Sequence, residues 1–364
     1  MASLIGSPAG NAIDATRRFL LSPLLSGPLV LATTTASNGT STTLNTITKH
    51  MIDLGLLSPV ASDRQRYAFI LRVLFGISLA RFINKKLSSF AANAWRVRAA
   101  DGWEWRNEIA VVTGGSGGIG RNIAERLAKL GVKVAILDVM ELPAALEQNP
   151  LIRFYKCDIT SFDSVAKAAD AIREDFGHPS ILINNAGIAN ADPLPILDDS
   201  EAFLKKVFAV NCVGLWATTK QFLPHMISEN KGHVVTLSSI AAFTTFPAGV
   251  GYSASKAAAL SFHEGLTCEL KHMYKAPNVM TTVFHPNFVR TPLLGRMIEG
   301  LEKAGVRLME PDTVAKAIVA QIVSKKGAQV FVPPPSSVVS GIRGWSTWLQ
   351  EIVRDGSGKI AARS

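Results

Sequence analysis

Residues 109–120 read IAVVTGGSGGIG, so an apolar run gives way at once to five glycines within seven positions. The glycines fit the pattern G-x-G-x-x-G and, counted from Thr113, also the pattern T-G-x-x-x-G-x-G. Either pattern predicts a tight turn between a strand and a helix, with main-chain N–H groups at the helix N-terminus facing a pyrophosphate. The second pattern fits better because Thr113 closes the strand and Ile119 begins the apolar face of the helix. We therefore expect a dinucleotide-binding loop here.

From residue 108 to residue 333 the sequence alternates between short apolar runs and longer amphipathic segments. We predict strands at residues 109–113, 133–137, 152–155, 180–183, 233–237, 279–284 and 329–332. Helices are predicted at residues 119–130, 164–176, 203–226, 252–274 and 311–322. This alternation predicts an α/β fold, a Rossmann-type doubly wound parallel sheet with helices on both faces, preceded by a hydrophobic N-terminal extension.

A second group of reactive side chains lies at Tyr252-Ser253-Ala254-Ser255-Lys256, thirteen residues after Ser239. Residues four apart on a helix share a face, so Lys256 is expected close to Tyr252. A neighbouring cation lowers a pKa by roughly one to three units from the value near 10 of a free tyrosine, so we expect an acidified phenol. The alternative is a tyrosine–lysine pair on a helix surface. Of the four tyrosines, however, only Tyr252 has lysine at the fourth following position.

Asp138 ends the second predicted strand, eighteen residues after Gly120. A carboxylate there accepts hydrogen bonds from an adenosine ribose and repels a 2′-phosphate. No arginine or lysine lies inside the glycine loop or directly after Asp138. The sequence therefore favours NAD(H), with NADP(H) possible. Asp158, at the end of the third strand, is expected to approach the adenine or to cap the next helix.

Together these residues resemble the motifs of the classical short-chain dehydrogenase/reductase family. The matching elements are Thr113-Gly114, Gly118-Ile119-Gly120, Asp138, Asp158, Asn184-Asn185-Ala186-Gly187, Asn211, Ser239, Tyr252, Lys256, Pro286 and Thr291. The resemblance covers residues 108–333 and implies hydride exchange between NAD(P) and an alcohol or carbonyl compound. The hydrophobic flanks are most similar to the membrane- and lipid-droplet-associated branch, with retinol- and 17-beta-hydroxysteroid-dehydrogenase-like members.

The resemblance also implies a role for each matching residue. Tyr252 would be the general acid/base, and Ser239 would position the substrate oxygen. Lys256 would bind the nicotinamide ribose and lower the pKa of Tyr252, while Asn211 would hold a water that relays protons to Lys256. The implied cofactor-binding residues are Thr113, Gly114, Ser116, Gly118, Ile119, Gly120, Asp138, Asp158, Ile159, Asn185, Ala186, Gly187, Tyr252, Lys256, Pro286, Val289 and Thr291.

Two positions near this set need a choice. Ser238 competes with Ser239 for the serine role, and the family spacing to the tyrosine selects Ser239. Asn287 stands where the family usually has glycine after Pro286. Because asparagine tolerates unusual backbone angles, we expect the loop to keep its shape. Independently of the family, two hydroxyl donors suit the negative charge that grows on a carbonyl oxygen during reduction.

Composition limits the partners of the N-terminal region. The net charge is +10, and residues 1–105 hold 11 Lys and Arg against 5 Asp and Glu, an excess of six. Such a charge favours a membrane surface, an import receptor or nucleic acid. No zinc spacing, helix-turn-helix signal or aromatic–basic interleaving supports the last. We therefore expect a membrane surface as partner, no nucleic acid and no metal.

Two apolar stretches precede the α/β region. Residues 19–32 are short for a membrane span and contain two prolines, so they form a signal-like region, a re-entrant anchor or part of a transit peptide. Residues 67–83 contain Arg72 and Arg81. A charge at the bilayer centre costs roughly 2.5–3.5 kcal/mol, which favours a helix lying at the membrane interface over a span. The alternative is a helix packed on the enzyme.

These features divide the chain into three regions. Residues 1–105 are a targeting or membrane-anchoring extension, residues 106–335 the NAD(P)-binding catalytic domain, and residues 336–364 an amphipathic tail. Within residues 338–352 the apolar side chains have the spacing of one helix. The segment 291–310 is expected to close over a lipophilic substrate. Three widely separated cysteines, Cys157, Cys212 and Cys268, make no disulfide framework.

The sequence thus predicts an NAD(P)-dependent oxidoreductase that interconverts a lipophilic alcohol and its ketone or aldehyde. The alternative is a non-catalytic NAD(H)-binding sensor or scaffold. We expect a membrane-associated homo-oligomer at the endoplasmic reticulum or a lipid droplet, with its catalytic domain in the cytosol. A mitochondrial location is the alternative.

Overall fold

A computed structural model describes residues 64–190, 194–303 and 305–361 of the chain. The chain divides after Phe90 into an N-terminal unit and a unit that begins at Ala91. The second unit contains all seven strands: β1 (Ile109–Thr113), β2 (Lys133–Asp138), β3 (Ile152–Lys156), β4 (Ile181–Asn184), β5 (Gly232–Leu237), β6 (Val279–Pro286) and β7 (Ala328–Val332). The sequence placed every one of these strands to within two residues at each end.

The seven strands form one parallel sheet in the order β3-β2-β1-β4-β5-β6-β7. The order runs outward in opposite directions from the β1–β4 pair, which leaves a crevice at the carboxyl ends of those two strands. The helices are α1 (Arg64–Ala92), α2 (Gly118–Lys129), α3 (Ala144–Glu147), α4 (Phe162–Asp175), α5 (Glu201–Phe208), α6 (Gly214–Ser228), α7 (Val250–His272), α8 (Met297–Lys303), α9 (Pro311–Val323) and α10 (Thr347–Ala361).

Helices cover both faces of the sheet because successive strand residues point to opposite sides. On one side Val112 belongs to a buried cluster with Leu127 of α2 and side chains of α9. On the other side Val111 belongs to a second cluster with Ile172 of α4 and Leu270 of α7. Two buried layers enclosing a parallel sheet confirm the predicted Rossmann-type α/β fold.

Two helix predictions are wrong in detail. The predicted helix 203–226 is interrupted between α5 and α6 by the π-helical turn Ala209–Val213. The C-terminal run is likewise not one helix. A 3₁₀ helix spans Pro334–Gly344, and the next residue, Trp345, has an extended backbone. The helix α10 begins only after this break.

In the N-terminal unit, α1 includes the predicted helix 67–83 and carries large apolar side chains in contact with water. Ile70, Val73 and Ile77 are 46%, 44% and 48% exposed, and their spacing of three and four residues places them on one face. Among the helices of the described residues, none has both the length and the apolar character that crossing a membrane requires. The apolar stretch 19–32 lies outside the described residues.

Candidate active site

A cavity of about 1190 Å³ opens at the carboxyl ends of β1 and β4. Its walls come from the glycine loop, the ends of β2 through β6, the first turns of α7 and the segment after β6. Of the predicted site residues, all except Thr113, Gly120 and Asn211 line this cavity. The crevice that the topology requires therefore coincides with the site that the motifs predict.

The glycine loop lies in close contact with the end of β4. A Cβ atom added to Gly120 would lie 2.2 Å from the Gly114 carbonyl oxygen and 2.5 Å from Asn185 Nδ2. Gly114 has a φ of +64°, and a Cβ there would lie 2.9 Å from Ala186 Cα. These separations are below any real carbon contact, so the loop needs glycine at both positions.

Thr113 and Asn185 hold the glycine loop against the end of β4 through hydrogen bonds, and of the two only Asn185 lines the cavity. The Thr113 hydroxyl accepts hydrogen bonds from the N–H groups of Asn185 and Ala186, both at 3.0 Å. The Asn185 amide in turn donates to the carbonyls of Thr113 and Gly114, at 2.9 and 3.0 Å. This reciprocal set of bonds fixes the start of α2, whose first N–H groups have no intrahelical partners and suit an anion.

Asp138 lies at the end of β2 with both carboxylate oxygens engaged. Oδ2 accepts the N–H of Ser116 at 2.9 Å, and Oδ1 accepts the N–H of Met140 at 3.0 Å. Ser116 Oγ donates to the Met140 carbonyl at 2.9 Å and completes a closed ring of bonds. The negative charge is thereby held at the edge of the cavity, where an adenosine ribose would lie in this fold.

Asp158 and Ile159 follow β3 and line the cavity. Asp158 accepts hydrogen bonds from the main chain and the hydroxyl of Thr160, at 2.9 and 2.8 Å. The side chain that caps α4 is instead Ser161, which accepts from the N–H of Ser164. The alternative that Asp158 is a helix cap is therefore wrong, and its carboxylate lines the cavity.

The two adjacent serines after β5 have different partners. Ser238 Oγ donates to the main-chain carbonyl of Lys256 at 2.9 Å and so joins β5 to α7. Ser239 Oγ accepts the N–H of Ala241 at 3.2 Å and lies beside Tyr252, where its hydrogen bond lowers the phenol pKa. Ser239, and not Ser238, is thus the serine that interacts with Tyr252.

Tyr252 departs from the expected acidity. Its ring lines the cavity, yet the surrounding protein desolvates the phenolate and raises the pKa of Tyr252 to about 12, with the Ser239 hydroxyl opposing that rise. Lys256 Nζ lies 5.7 Å from the centroid of the Tyr252 ring, so the predicted proximity is confirmed. The expected downward shift is wrong, because the loss of water around the phenol raises the pKa and only the Ser239 hydroxyl, not Lys256, opposes that rise.

Lys256 is buried and itself poorly solvated. Its Nζ donates to the Leu237 carbonyl at 3.0 Å, and desolvation lowers its pKa to about 8. A Cβ atom on Gly187 would lie 3.2 Å from this Nζ and 3.3 Å from Asn211 Oδ1. Gly187 therefore leaves the space through which the lysine faces the cavity.

Asn211 occupies the π-helical turn, behind the cavity wall. Its amide donates to the Ile188 carbonyl and to Ser255 Oγ, both at 2.9 Å, and its Oδ1 accepts the Ile188 N–H at 2.8 Å. A π-helical turn adds one residue to a helix and leaves main-chain carbonyls out of register, a feature frequent at functional sites. No signal in the sequence distinguished this turn from regular helix.

The segment after β6 contributes to the cavity wall. Asn287 donates its N–H to the Val332 carbonyl at 2.8 Å, and its side chain accepts the Phe288 N–H at 2.9 Å. Its φ is not positive, so the position places no demand for glycine. Asparagine therefore fits this position with ordinary backbone angles, and the expectation that the loop keeps the family's shape stays a prediction.

Part of the predicted lid segment lines the cavity, and its closure over a substrate stays a prediction. Pro292, Leu293, Leu294 and Met297 line the cavity, within a 3₁₀ turn and the start of α8. Sequence reasoning missed the facing apolar side chains Phe203, Ile240, Phe246 and Phe288, which belong to separate segments. No local pattern marks them, because only the tertiary fold brings them together.

The residues present fit a nicotinamide dinucleotide. The glycine contacts leave room only for main chain, the helix N-terminus offers donors to a pyrophosphate, and Asp138 offers acceptors to a ribose. Beyond that region, two hydroxyls and an amine share the inner end of the cavity. Such an arrangement can polarise a carbonyl and move a proton.

Comparison with known proteins also indicates a nicotinamide-dependent dehydrogenase. The short chain dehydrogenase family model matches residues 108–301, more than half of the chain. Dehydrogenase RED2 of Cochliobolus heterostrophus is 40% identical over 216 residues, 58% of this chain and 81% of that protein. Estradiol 17-beta-dehydrogenase 11 of Mus musculus is 32% identical over 297 residues, 78% of this chain and 87% of that protein.

Among solved structures, 3-ketoacyl-(acyl-carrier-protein) reductase from Brucella melitensis, in complex with NADH, has a similar fold. It is 26% identical with a TM-score of 0.56, over 63% of this chain and 98% of its own. The likeness agrees with a nicotinamide cofactor in the crevice.

Proposed function

This chain belongs to the short-chain dehydrogenase family and is an NAD(P)-dependent oxidoreductase; from that premise we propose that it interconverts a lipophilic alcohol and its ketone or aldehyde. One observation carries the proposal. Ser239, Tyr252 and Lys256 share the inner end of a cavity whose outer part is the glycine loop.

When bound, the nicotinamide ring supplies or accepts the hydride. In carbonyl reduction, the hydroxyls of Ser239 and Tyr252 stabilise the negative charge that grows on the substrate oxygen, and Tyr252 delivers the proton. In alcohol oxidation Tyr252 removes that proton. Lys256, when protonated, stabilises the phenolate, and the Asn211 turn would hold the water that restores the proton.

Tyr252→Phe tests this assignment because it removes one hydroxyl and keeps the ring. We expect kcat to fall by about 10²–10⁴-fold, the usual worth of a general acid/base, while NADH affinity, read by fluorescence, stays within about twofold. Tyr155→Phe is the matched control. The Tyr155 hydroxyl donates a hydrogen bond to Asp175, with 2.7 Å between the two oxygens, and Tyr155 does not line the cavity. Loss of this hydroxyl should therefore leave kcat unchanged.

Two results would overturn the proposal. Wild-type turnover by the Tyr252→Phe variant would remove Tyr252 from the chemistry. A wild-type protein that binds NADH but oxidises or reduces nothing across a broad panel of alcohols and ketones would favour the sensor or scaffold.

For the cofactor we propose NAD(H), with NADP(H) as the weaker alternative. The support is the Asp138 carboxylate, held by two main-chain donors at the edge of the cavity. Initial rates with both cofactors, measured side by side on one substrate, decide between them.

For the substrate we propose a lipophilic molecule, in keeping with the apolar lid residues Leu293, Leu294 and Met297. Each methylene buried in such a lid contributes about 0.8 kcal/mol, so kcat/KM should rise roughly fourfold per added methylene until the cavity is full. A series of straight-chain alcohols measures this slope, and a flat series would contradict the proposal.

We also propose that residues 1–105 attach the protein to a membrane at the endoplasmic reticulum or a lipid droplet, leaving residues 106–335 as a cytosolic catalytic domain and residues 336–364 as a tail. The support is the exposed face of Ile70, Val73 and Ile77 on α1.

Vesicle binding of the wild type and two variants tests this attachment. The double variant Val73→Asp/Ile77→Asp should bind vesicles more weakly than the wild type. Met273→Asp, which alters an exposed apolar side chain of the sheet-bearing unit, should bind like the wild type. Equal vesicle binding by all three proteins would contradict it, and import into mitochondria would favour the alternative location.

A homo-oligomer is proposed from one further surface. Trp216 on α6 is 46% exposed and packs edge-on against Phe262 of α7, with ring centroids 4.6 Å apart. Large exposed aromatic side chains of this kind are common at subunit interfaces. Light scattering of the wild type and of Trp216→Glu would show whether a dimer or tetramer exists and whether this face forms it.

A further inference from the structure

We infer that His285 is a positioning residue for Ser239, holding the serine in place through its main-chain carbonyl. The inference deepens the proposed function and rests on it, because it concerns the serine that would position the substrate oxygen.

The main-chain ladder between β5 and β6 stops short of this serine. The last residue pair is Leu237 with Phe284, and the Ser238 N–H donates to the Phe284 carbonyl at 2.9 Å. At the next residue of each strand the bond is made by a side chain instead of the main chain. His285 Nδ1 lies 3.1 Å from the Ser239 carbonyl oxygen. The strand pairing is thereby extended by a side chain to the residue that enters the cavity.

Hydrogen-bond chemistry fixes where the imidazole proton lies. A carbonyl oxygen only accepts, so Nδ1 carries the hydrogen and Nε2 is left as an acceptor. Gln329 supplies the complementary donor, with its Nε2 3.1 Å from His285 Nε2. The bonds run in one direction across three neighbouring strands, from β7 through β6 to the end of β5.

Packing prevents the ring from turning. His285 is fully buried and stacks on Phe331 while meeting Phe243 edge-on, both with ring centroids 4.8 Å apart. Burial also lowers the pKa of His285 to about 4, so the ring is neutral at physiological pH. A neutral, immobile ring with one assigned tautomer suits a positioning role rather than proton transfer.

His285→Phe removes the donor and keeps an aromatic ring between Phe243 and Phe331. We expect kcat to fall about five- to tenfold, the worth of one net hydrogen bond, with NADH affinity unchanged. His285→Asn should restore most of kcat, because its amide nitrogen takes the place of Nδ1 and can donate to the same carbonyl.

His233→Phe is the matched control for a structural role. His233 is also fully buried on the sheet, and its Nε2 lies 2.8 Å from Thr282 Oγ1. It lies near the start of β5, whereas Ser239 follows the end of that strand. Both phenylalanine variants should lower the melting temperature, but only His285→Phe should lower kcat. Equal kcat in His285→Phe and wild type, or equal losses in His285→Phe and His285→Asn, would overturn the inference.

¹⁵N NMR of the imidazole separates this inference from the proposed function, since it needs no turnover. A proton on Nδ1 is the expected result, and a proton on Nε2 in an active wild type would overturn the inference alone. A wild type silent toward all alcohols and ketones would overturn the proposed function, and the inference with it.

Discussion

The two halves of the crevice are built differently. At the glycine loop, main chain meets main chain, and a Cβ on Gly120 would approach the Gly114 carbonyl to 2.2 Å. At the end of β5, polar side chains lie in the protein interior, where desolvation raises the pKa of Tyr252 to about 12 and lowers that of Lys256 to about 8. The half around the glycine loop, here called the nucleotide half, has no room for a side chain at Gly114 or Gly120. The half around Ser239, Tyr252 and Lys256, here called the catalytic half, depends on the polar groups of those side chains.

This difference assigns different consequences to mutation. Adding a side chain where the loop is crowded, as at Gly120, should displace the main chain and weaken cofactor binding. Removing a polar group from the catalytic half should leave binding and fold largely intact and change the chemistry, since those side chains are held in a preformed cavity.

Gly120→Ala should have the largest effect. Its methyl group would clash with the Gly114 carbonyl and Asn185 Nδ2, which also hold each other at 3.0 Å. Overpacking of this kind costs about 1–3 kcal/mol of stability, and the displaced loop should bind NADH at least about 100-fold more weakly. Titration calorimetry and thermal melting measure the two effects.

Gly117→Ala is the control within the same loop, because a Cβ there meets nothing within 4 Å. It should bind NADH within about threefold of the wild type. If both alanine variants bind alike, close main-chain contact is not what builds the nucleotide half.

Lys256→Met tests desolvation in the catalytic half through stability rather than rate. Below pH 8 the lysine is protonated in the folded and unfolded chains, and the folded state bears the full cost of burying the charge. Between pH 8 and the unfolded value near 10.5, the unfolded chain binds more protons, so wild-type stability rises with pH. Relative to Lys256→Met, the wild type should gain about 1–3 kcal/mol across that window.

Urea unfolding of both proteins without cofactor, at pH 7.5 and pH 9.5, measures this gain before tyrosine ionisation intervenes. A difference in unfolding free energy that does not change with pH would mean that Lys256 titrates normally and that burial does not set its acidity.

Most of the fold could be predicted from the sequence, because buried parallel strands and amphipathic helices have separate periods. The glycine spacing likewise marked the loop, although its contacts with Asn185 and Ala186 at the end of β4 arise only from the tertiary fold. The π-helical turn at Asn211 could not be predicted, since one inserted residue leaves the helical pattern almost unchanged.

For the catalytic half, the sequence predicted which side chains come together but not the direction of the Tyr252 pKa shift. Four-residue spacing brought Lys256 to Tyr252, whereas the direction of the Tyr252 pKa shift depends on how much water the tertiary fold excludes. The contact between His285 and Ser239 could not be predicted, because it too depends on the tertiary fold. Its bond to Ser239 arises from the register of β5 against β6, which no single segment reveals.

Asp138→Asn examines the carboxylate at the end of β2 that is expected to face the adenosine ribose. The amide has a single acceptor oxygen for the two N–H groups of Ser116 and Met140 and no longer repels a 2′-phosphate. NADH affinity should fall about tenfold, and the ratio of NADPH to NADH affinity should rise by more than that. Asp158→Asn, whose carboxylate bonds to Thr160, should leave the ratio unchanged. An unchanged ratio in Asp138→Asn would remove Asp138 from cofactor selection.

Asn287→Gly should have the smallest effect, although it restores the residue usual in the family. Because the φ of Asn287 is not positive, glycine relieves no strain and instead loses the side-chain bond to the Phe288 N–H at 2.9 Å. The unfolding free energy should fall by about 0.5–1 kcal/mol, the entropic cost of a glycine, with kcat within about twofold of the wild type. A large rise in kcat or stability would show that the loop after β6 is strained and that main-chain geometry governs the catalytic half as well.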